Sequence, residues 1–225
     1  MYPTGGNSKI AQPIADMDFL RLFLPYELRL IQRRAMTWGP DEAPPMAFLG
    51  LFLVRLEVAS GNWFPAPDDG GAAIGDHASE LLRSAVRDSD ICARLDNQEH
   101  LAVVRDVDPE QAYVVAQRFL AKAGRSEILE GAGLHTRLGY VIYPLSPQPN
   151  LPTDQWSTLL ELARRMGARG ASSGPASGFG VLRGTEPGAT DIPESDLIPL
   201  LFHDPDSLVK ARVLRVQRIH ILPGV

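Results

Sequence analysis

A chain of 225 residues with 44% hydrophobic content can bury one domain-sized core with extensions, or at most two small ones. Its formal net charge of −5 excludes the broad phosphate-backbone attraction of a nucleic-acid-binding protein, so no nucleic-acid polymer is expected as a partner. The single cysteine, Cys92, excludes an intramolecular disulfide and reads as a small buried apolar residue. His77, His100, His135, His203 and His220 are scattered without zinc spacing, so neither a metal nor a cofactor is expected. Residues 1–7 lack a basic segment followed by an apolar core. The best membrane candidate, Met46 to Val54, is strand-sized and stops at Arg55. A cytoplasmic chain without membrane insertion is therefore expected.

In chain order, a loose tail of 1–15 is followed by a helical pattern from Asp16 to Trp38, with a break or restart expected at Pro25. Its stripe is Phe19, Leu20, Phe23, Leu28, Leu30 and Ile31; Arg29, Arg33 and Arg34 form its wet side. Gly39 to Pro45 reads as a linker. Ala47 to Val58 (AFLGLFLVRLEV) is apolar enough for the centre of a sheet. A Pro-, Asp- and Gly-rich loop over 62–71 leads to a helix predicted over Asp76 to Arg87, with Leu81, Leu82, Ala85 and Val86 inward. Asp90 to Leu95 and His100 to Arg105 read as a hairpin around DNQE, with Asn97 the residue best suited to positive φ. A helix from Pro109 to Lys122, a strand from Leu134 to Tyr143 and a helix from Thr153 to Ala168 follow. A Gly/Ser loop over 170–177 then leads to a short strand from Gly178 to Arg183. After a linker over 185–196, an appendix ends in VLRVQRIHIL, which either adds an edge strand or packs on the rest. The order predicts an α+β palm: a mostly antiparallel central sheet flanked by helices, with an N-terminal lead-in helix and a C-terminal appendix. The expected units are 1–45 (tail and lead-in helix), 46–184 (the palm) and 185–225 (linker and appendix).

The hairpin segment RDSDICARLDNQEHLAVV (Arg87 to Val104) resembles the heart of a GGDEF domain. That family reads R-x-x-D, five residues, GGDEF, then an apolar strand. Arg87 and Asp90 supply R-x-x-D, the spacing is kept, and Asp96, Asn97, Gln98, Glu99 and His100 stand where GGDEF would be. FLGLFLVRLEV resembles the family's first strand and Gly75-Asp76 its helix-opening Gly-Asp. TRLGYVIYP and GFGVLRG resemble its later strands, so the resemblance spans about 46–184.

The resemblance implies a diguanylate cyclase, which joins two GTP molecules using metal ions on the triphosphate, carboxylates to hold them, and a glycine turn open to phosphate. This sequence departs at each part. Arg55 stands near the first-strand acid, with Glu57 on the same side a partial substitute; Asp96 and Asn97 replace the glycines; Gln98 replaces the metal acid; only Glu99 remains. The lysine expected near the end of the last helix is missing, with Arg165 or Arg169 the possible replacements, and Asn62 falls one residue from the expected guanine-binding asparagine. DNQE is best read as a plain polar turn, so no catalytic residue is assigned and the chain is not expected to be an enzyme.

In the family, R-x-x-D binds the product cyclic-di-GMP. The resemblance therefore implies a ligand site at Arg87 and Asp90, with Arg83 one turn earlier and Arg94 as further cations. An arginine fork matches phosphate or the Hoogsteen edge of guanine, and a carboxylate accepts from guanine N1–H and N2–H. A local reading competes: Arg87 complements a helix C-terminus or pairs weakly with Asp88 or Asp90. The expectation is a degenerate GGDEF-like signalling domain acting as a cyclic-di-GMP receptor. The alternatives are a ligand-independent interaction or self-association module, and a weak cyclase using GTP.

Overall fold

A computed structural model describes residues 14–36, 47–58, 64–65, 70–145, 155–169, 176–183, 200, 203–204, 207, 210–211 and 214–220. The tail before residue 14, the linkers expected over 39–45 and 185–196, Asn62 and the 170–175 part of the Gly/Ser loop lie outside them. The elements are α1 (Met17–Met36), β1 (Ala47–Val58), α2 (Gly71–Ala85), β2 (Ile91–Arg94), β3 (Glu99–Arg105), α3 (Pro109–Ala123), α4 (Glu127–Gly131), β4 (Leu134–Leu145), α5 (Gln155–Arg169), β5 (Ala176–Arg183) and β6 (Leu214–His220).

The strands form one sheet in the order β2-β3-β1-β4-β5-β6. Every neighbouring pair is antiparallel except β4 with β5. That parallel pair needs a crossover, which α5 provides. β1 lies between β3 and β4, and its unbroken apolar run is explained by cover on both faces. Leu49, Leu51 and Leu53 pack with Leu101, Val103 and the buried faces of α1 and α5. Phe52, Val54 and Leu56 pack with α2 and α3 through Leu82, Phe119 and Leu120. The palm expected from the sequence is present, and the C-terminal run resolves as an edge strand, with β6 pairing outside β5.

Several local expectations are corrected. α1 runs unbroken through Pro25. Proline removes one helical donor, but Leu24 on one side and Glu27 on the other are both buried in the same layer, and this packing holds the helix together. Asp16 caps α1, its Oδ1 accepting from Phe19 N–H at 2.8 Å. Leu20 and Leu24 face the sheet, whereas Phe19, expected inward, is 45% exposed. α2 starts at Gly71, so Gly75 and Asp76 lie inside it rather than at its opening; Gly70, at φ 94°, supplies the left-handed start that favours glycine. α3 begins as expected, with a reciprocal cap between Asp108 and Gln111 and Pro109 at its first turn. The one-turn helix α4, capped by Ser126, was not expected; five residues carry too little periodicity to be seen.

Candidate functional site

Two places carry the chemistry singled out by the sequence: the corner at Arg87 and Asp90, and the β2–β3 turn.

At the corner, α2 ends at Ala85 and the chain turns into β2. Asp90 is 6% exposed and works on the backbone: Oδ2 accepts from Arg87 N–H at 2.9 Å and Oδ1 from Arg105 N–H at 3.4 Å. Asp90 N–H returns a bond to the Arg87 carbonyl at 3.0 Å. This buried carboxylate fixes the loop. Arg87 is exposed, and its guanidinium has no ion pair or hydrogen bond among the described residues. It borders a cleft of about 350 Å³ between the corner and α3, floored by Val86, Val104, Val107, Val114 and Val115. Arg118, Glu110 and Gln111 of α3 complete the rim, and Arg118 Nη1 donates to the Ala85 carbonyl at 3.3 Å. Sequence reasoning missed these rim residues. The available signal was that Glu110, Gln111, Val114, Val115 and Arg118 recur at helical spacing on one face of α3.

The structure does not bring all three expected cations together. Arg83 is half-buried near the end of α2 and does not line the cleft. Its charge acts on Cys92, whose thiol burial pushes up to about 12, with Arg83 opposing and Asp90 adding. Arg94 is held away from the corner. It donates to Asp76 Oδ1 and Asn97 Oδ1, both at 2.6 Å, and to the Asp96 carbonyl at 3.3 Å. Its guanidinium lies over Gly75, in space that any side chain there would claim.

The turn itself is closed by its own residues. Asp96 Oδ1 accepts from the N–H groups of Gln98 and Glu99, each at 2.7 Å. This carboxylate-held turn takes the place of the positive φ expected at Asn97; among the described non-glycine residues only Asp106, at φ 49°, has one. Glu99 is 8% exposed and is gripped by Arg164 of α5, through Nε at 3.0 Å and Nη2 at 2.9 Å to the same oxygen. Partial burial pulls the Arg164 guanidinium down, but Glu99 and Glu161 outweigh that and hold it above its ordinary value. Arg164 of the last helix is thus committed to Glu99, and Arg165 to Glu161 through Nε at 3.3 Å. Arg55 is exposed and stands between Glu99 and Arg137 in the strand register. Glu57 is paired with Arg137 at 2.9 Å.

His100 points to the opposite face, fully buried, its Nδ1 sharing a 2.8 Å hydrogen bond with Ser79 Oγ while Nε2 has no partner among the described residues. Burial first, and then the charge of Arg94, push it down to about 4. The folded state thus favours neutral His100, and this contribution to stability falls as pH drops from about 6.5 towards about 4. Among the described residues no three His, Cys, Asp or Glu side chains are placed to hold a metal, and no helix is long and apolar enough to cross a membrane.

No protein-family model matches the chain, and a comparison with curated proteins gives no match. Solved structures do resemble it. The GGDEF domain of YfiN from Pseudomonas aeruginosa is 17% identical over 73% of this chain and 94% of that one, with a TM-score of 0.52. The active GGEEF domain of a diguanylate cyclase from Vibrio cholerae is 13% identical over 72% and 94%, with a TM-score of 0.51. With the sheet order and the two helical layers, these likenesses establish that the chain has the fold of a GGDEF domain.

Proposed function

We propose that this GGDEF-fold chain binds cyclic-di-GMP at the Arg87 corner and does not make it. The observation that carries this reading is the cleft beside Arg87, where a guanidinium unpaired among the described residues and Arg118 overhang a floor of valines. Such a cleft suits a guanine face on its apolar floor with phosphate on the arginine rim. Glu110 supplies an acceptor for guanine N–H groups, and Asp90 keeps the loop in shape behind it. Calorimetric titration with cyclic-di-GMP tests it; absence of both heat and thermal shift at saturating ligand rejects it.

Cyclase chemistry is disfavoured on the residues present. A divalent cation does not fit the turn: Arg55 repels it, Gln98 is neutral, and Glu99 is already committed to Arg164. Phosphate is met by the Asp96 carboxylate on the N–H groups it would need. The combined change Asp96→Gly, Asn97→Gly and Gln98→Glu should leave the chain without measurable product from GTP and magnesium or manganese, followed by chromatography. Arg55 and Arg164 remain in that variant. Fast turnover by it would mean that the first-strand alignment is wrong.

A second reading, an interaction module that self-associates, is favoured by the outer face of α1. Phe19, Leu22 and Tyr26 are 45%, 79% and 58% exposed, at spacings of three and four residues. Phe19 also stacks on Phe23, with ring centroids 5.2 Å apart. Deleting α1 would uncover Leu49, Leu51 and Leu53, so surface substitutions are the cleaner test. Leu22→Glu with Tyr26→Lys should shift a sedimenting dimer to monomer while changing stability by only about 0.5 kcal/mol. A sedimentation profile that does not change removes this reading.

A further inference from the structure

We infer that Arg105 is a positioning residue that couples α1 to the Arg87–Asp90 loop, so that docking of the helix and occupancy of the ligand corner report on each other. Arg105 ends β3 and makes three contacts. Nη1 reaches Glu27 Oε2 of α1 at 3.4 Å, Nη2 donates to the Ser89 carbonyl inside the loop at 2.8 Å, and its backbone N–H donates to Asp90 Oδ1. Glu27 is only 4% exposed, so its carboxylate has been taken out of water and depends on this guanidinium. The side chain of Arg105 therefore ties a buried acid on the helix to the carbonyl of a loop residue just before β2.

A second tether acts in the same direction. Ala15, just before α1, bridges β2 in parallel: Ala15 N–H donates to the Cys92 carbonyl at 3.0 Å and Arg94 N–H to the Ala15 carbonyl at 2.8 Å. The loop is thus held from α1 through Arg105 and, on its other side, through the edge of β2. Displacing α1 removes the partner of a buried carboxylate and slackens a loop whose own carboxylate, Asp90, is bonded to the same Arg105. Two discrete states, docked and released, are the expected behaviour of such a contact.

The ligand half of this inference rests on the receptor reading above; the tether does not. Hydrogen exchange followed by mass spectrometry, on wild type and Glu27→Gln, with and without cyclic-di-GMP, separates the two. Without ligand, amides of 87–91 should exchange about fivefold faster or more in Glu27→Gln, with α3 and β4 unchanged. Arg105→Lys, which keeps the charge but cannot serve Glu27 and Ser89 together, should fall between. Equal loop exchange in all three proteins overturns the tether, whatever the ligand does. With ligand, wild-type amides of 17–27 should gain protection and those of Glu27→Gln should not. Binding by calorimetry without protection of 17–27 overturns the coupling. No binding rejects the receptor reading, and the ligand-free comparison still decides the tether.

Discussion

Placing a methyl group on Gly139 should unseat α5 and cost the fold at least about 3 kcal/mol in denaturant unfolding. A Cβ there would fall on the Ala163 carbonyl oxygen and the Gly167 nitrogen, both backbone atoms, so no rotamer change relieves the clash. Gly139 sits in β4 opposite Leu53 of β1, under the face where Leu159, Leu160, Ala163 and Met166 are buried. Lifting α5 would open that layer and withdraw Arg164 from Glu99. Gly167→Ala should be milder, because its added Cβ meets Gly139 N at 3.2 Å, a distance a small shift can relax. An unfolding midpoint for Gly139→Ala equal to wild type would mean that α5 is not seated on β4 as described.

Arg87→Ala should weaken cyclic-di-GMP binding by about 1–3 kcal/mol, roughly fivefold to 150-fold in calorimetry. It removes the one cleft guanidinium with no competing partner among the described residues. Arg118→Ala should follow closely, and Arg83→Ala should act in the same direction but less, since Arg83 stands off the cleft. Asp90→Ala should be worse than a contact loss, because it strands the N–H groups of Arg87 and Arg105; Asp90→Asn keeps acceptor capacity and should bind nearer to wild type. Arg94→Ala and Glu99→Ala should leave affinity unchanged, as both side chains are committed around the turn. Binding should weaken with added salt, since the ligand carries two phosphates. Equal affinity of Arg87→Ala and wild type would move the ligand elsewhere.

The palm was legible because its signals are local. The apolar run of β1, the flanks of the hairpin and the Asp108–Pro109 start of α3 each announce themselves within a few residues. What was illegible depends on partners far apart in sequence. Pro25 reads as a break until Leu24 and Glu27 are seen buried against the sheet. That Asp90 also braces the backbone shows only once Arg105, 15 residues on, is found donating to it. The pairing of Arg164 with Glu99 depends on the phase of α5 against β3, across 65 residues. Arg94 has the right charge for the ligand corner, but strand alternation places it on the Asp76 side, where Asp76 and Asn97 hold it.

Because Asp96 is covalently part of the turn it closes, its carboxylate competes with any dissolved anion at a local concentration of millimolar or above. It forfeits almost no translational freedom in doing so, whereas an incoming triphosphate forfeits all of its own. A nucleotide supply in the millimolar range therefore meets an intramolecular rival already seated on the N–H groups of Gln98 and Glu99. Mass action alone gives the nucleotide little help there: doubling its supply changes the odds by only a factor of two against a competitor that never diffuses away.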